Sequence, residues 1–350
     1  MSASRHLLVT GGCGFIGSNF VRFVLRERPQ WRITNLDALT YAGNAENLAD
    51  LVGEPRYNFV HGNICDAELV ERLVGDCDGV IHIAAETHVD RSILDAEPFL
   101  ETNVRGTLTL LDALRKGDPK RLVHVSTDEV YGDLPLESVD HQFNEESPVQ
   151  PNNPYAATKA SSDLLVRAYA HTHRLGAVIT RCSNNFGPYQ FPEKVIPLFV
   201  SNLLEGKKVP VYGDGLHVRD WLHVDDHCAA ILTVLESGQL GHIYNVGANN
   251  ERSNLELTNT IVQLMDASAD MIEHVEDRPG HDRRYAIDSS KIRSELGWEP
   301  TRSAWPQALQ ATVDWYVNHG TWCDRIRSGE YRKYYEKQYG GKRRPMTSRP

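Results

Sequence analysis

Nowhere in the chain do two cysteines form a CxxC pair, and none joins a histidine at zinc-ligand spacing. The six thiols, Cys13, Cys65, Cys77, Cys182, Cys228 and Cys323, are scattered over 350 residues. This usage argues against a disulfide-stapled scaffold and gives no reason to expect a metal. It suits reduced thiols in a cytoplasmic protein. No apolar run approaches the roughly 20 residues that cross a bilayer. The chain also begins in a strand-like run rather than a secretory leader, so no membrane partner is expected. Positive charge is in deficit: 37 Lys and Arg against 47 Asp and Glu leave a net charge of −10. Such a surface is a poor general binder of nucleic acid, although a local basic site can still hold an anionic ligand.

What is present is ordinary for a globular protein, with 41% hydrophobic, 24% charged and 8% aromatic residues. Together with the length, this suits about two domains, or one large domain with an annex. Apolar strand-like runs at 6–10, 31–37, 57–64, 79–85, 121–127 and 177–182 alternate with helical patterns at 15–26, 103–114 and 155–171. The alternation predicts an α/β fold, a doubly wound parallel sheet of Rossmann type. Beyond residue 183 the pattern loosens. A Gly-, Pro- and Asn-rich loop is expected over 184–194, helices over 195–206, 223–236, 255–265 and 303–318, and strands over 209–213 and 242–247. We assign 1–183 to a nucleotide-binding domain, with 220–250 returning to it. Segments 184–219 and 251–339 form a smaller, discontinuous substrate domain, and the basic stretch 340–350 is a disordered tail.

The first strand runs into Gly11, Gly14 and Gly17, then into a helix. Glycines at this spacing allow a tight turn and close backbone approach to a pyrophosphate, with the helix N-terminus offering free N–H groups beyond it. Asp37 ends the second strand, 20 residues after Gly17. A carboxylate there can accept both ribose hydroxyls of an adenosine and would repel a 2′-phosphate. The expected cofactor is therefore NAD rather than NADP.

The sharpest constellation is Tyr155-x-x-x-Lys159, with Thr127 about thirty residues earlier. A spacing of four puts Tyr and Lys on one helix face. A phenol is a poor base at neutral pH unless a cation stabilises the phenolate. With Lys159 and an oxidised nicotinamide nearby, Tyr155 could take a proton from a sugar hydroxyl while hydride leaves for the cofactor. Thr127 could donate a hydrogen bond to the same oxygen. The adjacent acids Asp128 and Glu129 suit a further task. Once C4 of a sugar is a ketone, one carboxyl could remove the C5 proton and the other could protonate the departing C6 hydroxyl.

The chain resembles the extended short-chain dehydrogenase/reductases that act on nucleotide sugars. Within them it is similar to the dTDP-glucose 4,6-dehydratase family. The resemblance rests on STDEVYG (126–132), AAETHVDRSI (84–93), TRCSNNFGPYQFPEK (180–194), YGDGLHVRDWLHVDDHC (212–228) and DRPGHDRRYAID (277–288), and it extends over 5–340. It implies that Asp128 is the acid, Glu129 the C5 base and Tyr155 the oxidation base. It places Phe15, Ile16, Asp37, Thr40, Ile64, Ala84, Ala85, Thr102 and Asn185 around the cofactor. It places His88, Asn184, Lys194, Val195, Pro210, Tyr212, Arg219, Asn254, Arg278 and His281 around the sugar nucleotide. Of these, Arg219, Arg278 and Lys194 are candidates on chemistry as well, because cations match phosphate oxygens. The family also forms homodimers through helices that include the one bearing Tyr155.

One position departs from the family pattern: Asn63 stands where an Asp is usual. Its side-chain oxygen can still accept from an adenine amino group, without the charge, so NAD is expected to bind less tightly. Three rival readings stay open: the same dehydration of UDP-glucose, a nucleotide-sugar 4-epimerase or decarboxylase, and a catalytically silent NAD-responsive regulator.

Overall fold

The apolar runs assemble as parallel strands because both of their faces are covered. In the computed structural model, which describes residues 4–118 and 120–327, seven strands form one parallel sheet in the order β10-β6-β5-β4-β1-β2-β3. They are β1 (His6–Thr10), β2 (Arg32–Asp37), β3 (Tyr57–His61), β4 (Gly79–His82), β5 (Arg121–Thr127), β6 (Gly176–Cys182) and β10 (Ile243–Val246). The order reverses beside β1, which opens a crevice at the strand C-termini. The molecule thus has the α/β, Rossmann-like fold expected from the alternation.

Helices α1 (Phe15–Glu27), α2 (Ala67–Gly75), α3 (Val89–Leu94), α4 (Thr107–Lys116) and α5 (Pro154–His173) follow the first strands. Helix α1 buries Phe20, Val21, Val24 and Leu25, a stripe at helical spacing, against Leu7, Val9 and Ile33 of the sheet. The opposite sheet face packs Leu8, Leu36 and Val80 against Val70 of α2 and Leu110 and Leu111 of α4. Helix α5 begins with Pro154, and the Asn153 side chain caps it by accepting from Ala156 N at 2.9 Å.

After β6 the chain builds a second core. It runs through β7 (Asn184–Phe186), α6 (Val195–Leu204), β8 (Val209–Tyr212) and β9 (Val218–His223). Helix α7 (Val224–Ser237) then leads to β10, which pairs in parallel with β6, Ile243 opposite Ile179. Strand β11 (Glu251–Ser253), helix α8 (Asn254–Leu264), β12 (Ile272–Val275), α9 (Ser290–Leu296), α10 (Gln307–Asn318) and α11 (Gly320–Ile326) follow. Phe186, Ile196, Val209, Trp221, Leu257 and Tyr316 meet in this core.

The structure corrects several sequence boundaries. The stretch 184–194 is not all loop: β7 pairs with β9, which the sequence reading missed along with β11 and β12. The third strand stops at His61 rather than 64: Gly62 N makes the last bond to β2, at Asp37 O, and Asn63 then begins a turn. The helix expected over 103–114 starts at Thr107, after a wider π-type turn at Leu100–Gly106. The expected tail over 340–350 lies outside the described residues. No described helix is long and apolar enough to cross a membrane.

Candidate active site

The glycine loop has no room for side chains where it turns. Gly11 has φ +74°, and a Cβ there would lie 2.6 Å from Ala84 Cα; one at Gly17 would lie 2.1 Å from Gly11 O. The loop can therefore pass tightly under Ala84, and α1 starts from Gly14 with no side chain capping it. The shape fits a pyrophosphate against first-turn N–H groups. Asp37 is fixed beside it: Oδ2 accepts from Cys13 N and Oδ1 from Leu39 N, both at 2.8 Å. Each oxygen keeps a lone pair for a ribose hydroxyl. Burial lifts the Asp37 pKa, although the two amides oppose the shift.

One cleft brings together all the expected cofactor residues: Gly11, Gly14, Phe15, Ile16, Gly17, Asp37, Thr40, Asn63, Ile64, Ala84, Ala85, Thr102, Tyr155, Lys159 and Asn185. Asn63 is committed locally, its Oδ1 accepting from Cys65 N at 2.8 Å. An adenine amino group would have to share that oxygen.

The cleft ends at the carboxyl pair. Thr127 closes β5, and its hydroxyl accepts from Glu129 N at 3.3 Å. The 3-10 turn Asp128–Tyr131 then ends at Gly132, whose φ of +89° and contact with Gln150 O exclude a side chain. Asp128 is 2% exposed, and its Oδ2 has no hydrogen-bond partner among the described residues. Burial first, then the charges of Glu129 and Asp220, push its pKa well above the ordinary carboxyl value. Burial also raises Glu129, but Arg278, Lys194 and Arg219 oppose it. The two acids therefore differ in surroundings: neighbouring carboxylates add to the rise at Asp128, while three cations oppose it at Glu129. Tyr155 sits in the first turn of α5. Burial and the nearby Glu129 charge hold its phenol well above the usual value. Lys159, one turn on, donates from Nζ to Val125 O at 2.8 Å. Burial pulls it down to about 8, against the pull of Asp163.

A second cleft gathers the expected sugar-nucleotide residues: His88, Asn184, Lys194, Val195, Pro210, Tyr212, Arg219, Asn254, Arg278 and His281. Glu129, Asn184 and Lys194 line both clefts, so Glu129 stands where they meet, with Asp128 beside it on the wall of the first cleft. Arg219 is buried, held by the carbonyls of Val218 and Asp282, with its guanidinium 4.2 Å over the Tyr285 ring. Lys194 donates to Thr87 O at 3.2 Å, and burial lowers its pKa.

Sequence reasoning missed the acids that organise this cleft. Asp90 accepts from Arg278 Nη1 at 2.6 Å and from the Tyr212 hydroxyl at 3.1 Å. Glu193, with its side chain 1% exposed, pairs with Arg91 and lies 3.5 Å from His88 Nε2. A polar HVDRS run beside the sugar residues was the available signal for Asp90 and Arg91. His217, Asp277 and His281 also converge, with ligand atoms within 4.8 Å of one another. The sequence reading expects no metal. Arg283 Nη1 lies 3.4 Å from His217 Nε2, and burial, then Arg278 and Arg219, hold the His281 imidazole neutral.

Comparison with known proteins gives the family. Residues 8–305 match the model of the GDP-mannose 4,6 dehydratase family. A dTDP-glucose 4,6-dehydratase of Streptomyces niveus is 51% identical over 326 residues, covering 92% of this chain and 96% of that one. The low-salt glycan biosynthesis protein Agl12 of Haloferax volcanii is 53% identical over 311 residues, covering 89% and 98%. Among solved structures, the dTDP-glucose 4,6-dehydratase DesIV of Streptomyces venezuelae, with NAD and TYD bound, superposes with a TM-score of 0.88. It is 49% identical and covers 92% of this chain and 99% of that chain.

Proposed function

Because the chain belongs to the nucleotide-sugar 4,6-dehydratase family, we propose that Tyr155, Glu129 and Asp128 divide the proton transfers of its reaction among them. The reaction is the NAD-dependent conversion of dTDP-glucose to dTDP-4-keto-6-deoxyglucose and water, a hydro-lyase activity. The observation that carries the assignment is the position of Glu129 where the two clefts meet, with the buried Asp128 next to it on the cofactor side. A 4-epimerase would have no task for a buried acid pair there.

NAD, when bound along Gly11–Gly17 and Asp37, supplies a hydride acceptor and donor. Tyr155 takes the proton of the C4 hydroxyl, and the Thr127 hydroxyl donates to the same oxygen. The ketone at C4 acidifies the C5 proton, which Glu129 removes. Asp128, whose pKa burial and the neighbouring Glu129 and Asp220 push well up, gives a proton to the C6 hydroxyl as water leaves. Glu129 returns its proton to C5, and the bound NAD would supply the hydride that C6 requires. Arg219, Arg278 and Lys194 hold the diphosphate, and their charge keeps Glu129 more acidic than Asp128.

The same reading covers assembly and place. The smaller substrate domain comprises 184–219 and 251–339, of which 328–339 lie outside the described residues, and the nucleotide domain 1–183 takes back 220–250. A homodimer is supported by Leu94, Leu100, Leu108 and Leu164, large apolar residues exposed on neighbouring elements around α5. Cytoplasmic residence is supported by six free thiols, five of them buried. The product suits a dTDP-rhamnose or related deoxysugar route.

The direct test is to incubate the purified protein separately with dTDP-glucose and UDP-glucose and follow product mass. Loss of one water from dTDP-glucose is the expected result. Loss from UDP-glucose alone would replace the substrate, and unchanged mass with both would overturn the assignment.

A further inference from the structure

Behind the reacting face of α5 lies a buried charged cluster that touches neither cleft. Asp163 stands one helical turn after Lys159, and the two residues are 2% and 4% exposed. Its Oδ2 accepts from Arg181 Nε at 2.9 Å, and its Oδ1 lies 3.4 Å from His124 Nε2. The His124 ring is 5.2 Å from that of His82, which is held between the hydroxyls of Thr10 at 2.8 Å and Thr107 at 2.9 Å. Neither Asp163, His124 nor Arg181 lines either of the two clefts, and all three are buried, so none faces the substrate there.

The charges that face Lys159 can be counted by element. Helix α5 offers Asp163, with Tyr155 a turn before. Strand β4 offers His82, β5 offers His124, and β6 offers Arg181 and the thiol of Cys182. Burial, and then the neighbouring His124 and Lys159, keep His82 neutral; burial and then Lys159 do the same to His124. Burial also pushes the Cys182 thiol far up, so it carries no charge. Two cations, Lys159 and Arg181, therefore share one anion. Burial alone would raise the Asp163 carboxyl, but the close His124 imidazole and the Arg181 and Lys159 charges outweigh it and hold it ionised.

We infer that Asp163 is a positioning residue for the reaction: from behind the site, it is the counter-charge that keeps Lys159 an ammonium beside the Tyr155 phenol. This rests on the proton-transfer roles proposed above. A guanidinium does not release its proton in this range, so without Asp163 the charge would leave Lys159. A neutral amine there could not stabilise a phenolate.

The test compares wild type with Asp163→Asn and Asp163→Glu in the full-length protein as purified. The first readout is the ionisation midpoint of Lys159, followed by NMR on 13Cε-lysine and assigned by its loss in Lys159→Met. Asp163→Asn is expected to lower the midpoint by about one pH unit or more, and Asp163→Glu to restore most of it. The second readout is the pH profile of C4 oxidation in a single turnover, whose alkaline limb should move down with the midpoint. Arg181→Gln removes the competing cation and should move the midpoint up, so it carries the test if Asp163→Asn does not fold. An unmoved Lys159 midpoint, or a rate loss equal at every pH, overturns the inference. Failure of wild type to dehydrate dTDP-glucose would instead overturn the proposed function, while the lysine titration would still decide, independently, whether Asp163 holds the charge on Lys159.

Discussion

Asp90 and Arg278 stand 188 residues apart in sequence, yet their side chains meet at 2.6 Å inside the sugar-nucleotide cleft. The guanidinium proposed to hold a diphosphate thus already has an anion in place. Asp90 keeps a buried cation aimed and partly neutralised until a phosphate arrives. Burial would raise the Asp90 carboxyl, but Arg278 and then His88 outweigh it and hold it below the ordinary value. Replacing Arg278 with Gln removes the phosphate contact and strands Asp90. Steady-state kinetics should show KM for dTDP-glucose rising by about ten- to a hundredfold, with a smaller change in kcat.

Glu129→Gln should separate the two halves of the reaction. C4 oxidation persists, so reduced nicotinamide accumulates and its absorbance rises, while water loss falls by about a hundredfold or more. Normal turnover in this variant would remove Glu129 from the role of C5 base.

Asp128→Asn should stall one step later. Glu129 still exchanges the C5 proton, so deuterium from solvent should enter C5 of the sugar without loss of water. Mass spectrometry of recovered substrate reads this directly, and an unlabelled sugar would contradict the division of labour.

Asp128 also has a stability signature. Its pKa in the folded protein lies well above the 3.8 of an ordinary aspartate, so the folded state binds its proton more tightly than the unfolded chain. Folding therefore carries no penalty at this group below that value, and a growing one as pH rises toward the folded pKa. Asp128→Asn should melt at a higher temperature than wild type at neutral pH. The gain should vanish below about pH 4. Equal melting at both pH values would mean that the carboxyl is not strained.

Gly17→Ala should abolish cofactor binding, because the added methyl would meet Gly11 O at 2.1 Å and force the loop open. Calorimetric titration with NAD should show no binding, with a stability loss of about 1–3 kcal/mol by thermal unfolding.

The sheet was legible in the sequence because its strands are continuous apolar runs, and the glycine loop because its spacing has a steric reason. Tyr155, Lys159 and the acid pair were legible because each stands at a fixed offset from such an element. Strands β7 and β9 were not: both lie in motif-rich stretches dense in Asn, Gly and charged residues, and neither alternates cleanly. Asp90, Glu193 and Asp163 escaped for another reason. Each is one acidic residue among many, and its meaning comes from a partner distant in the chain or buried on another strand.

Strands β6 and β10 lie side by side in the sheet, and everything between them, including Lys194, Tyr212 and Arg219, leaves and returns within that interval. The same wall is completed from outside the interval by His88, Asn254, Arg278 and His281, while Asn185 of the cofactor cleft lies within it. Grip on a sugar nucleotide therefore draws on three separated stretches of chain, so an insertion in any of them that shifted its neighbours would loosen the whole cleft.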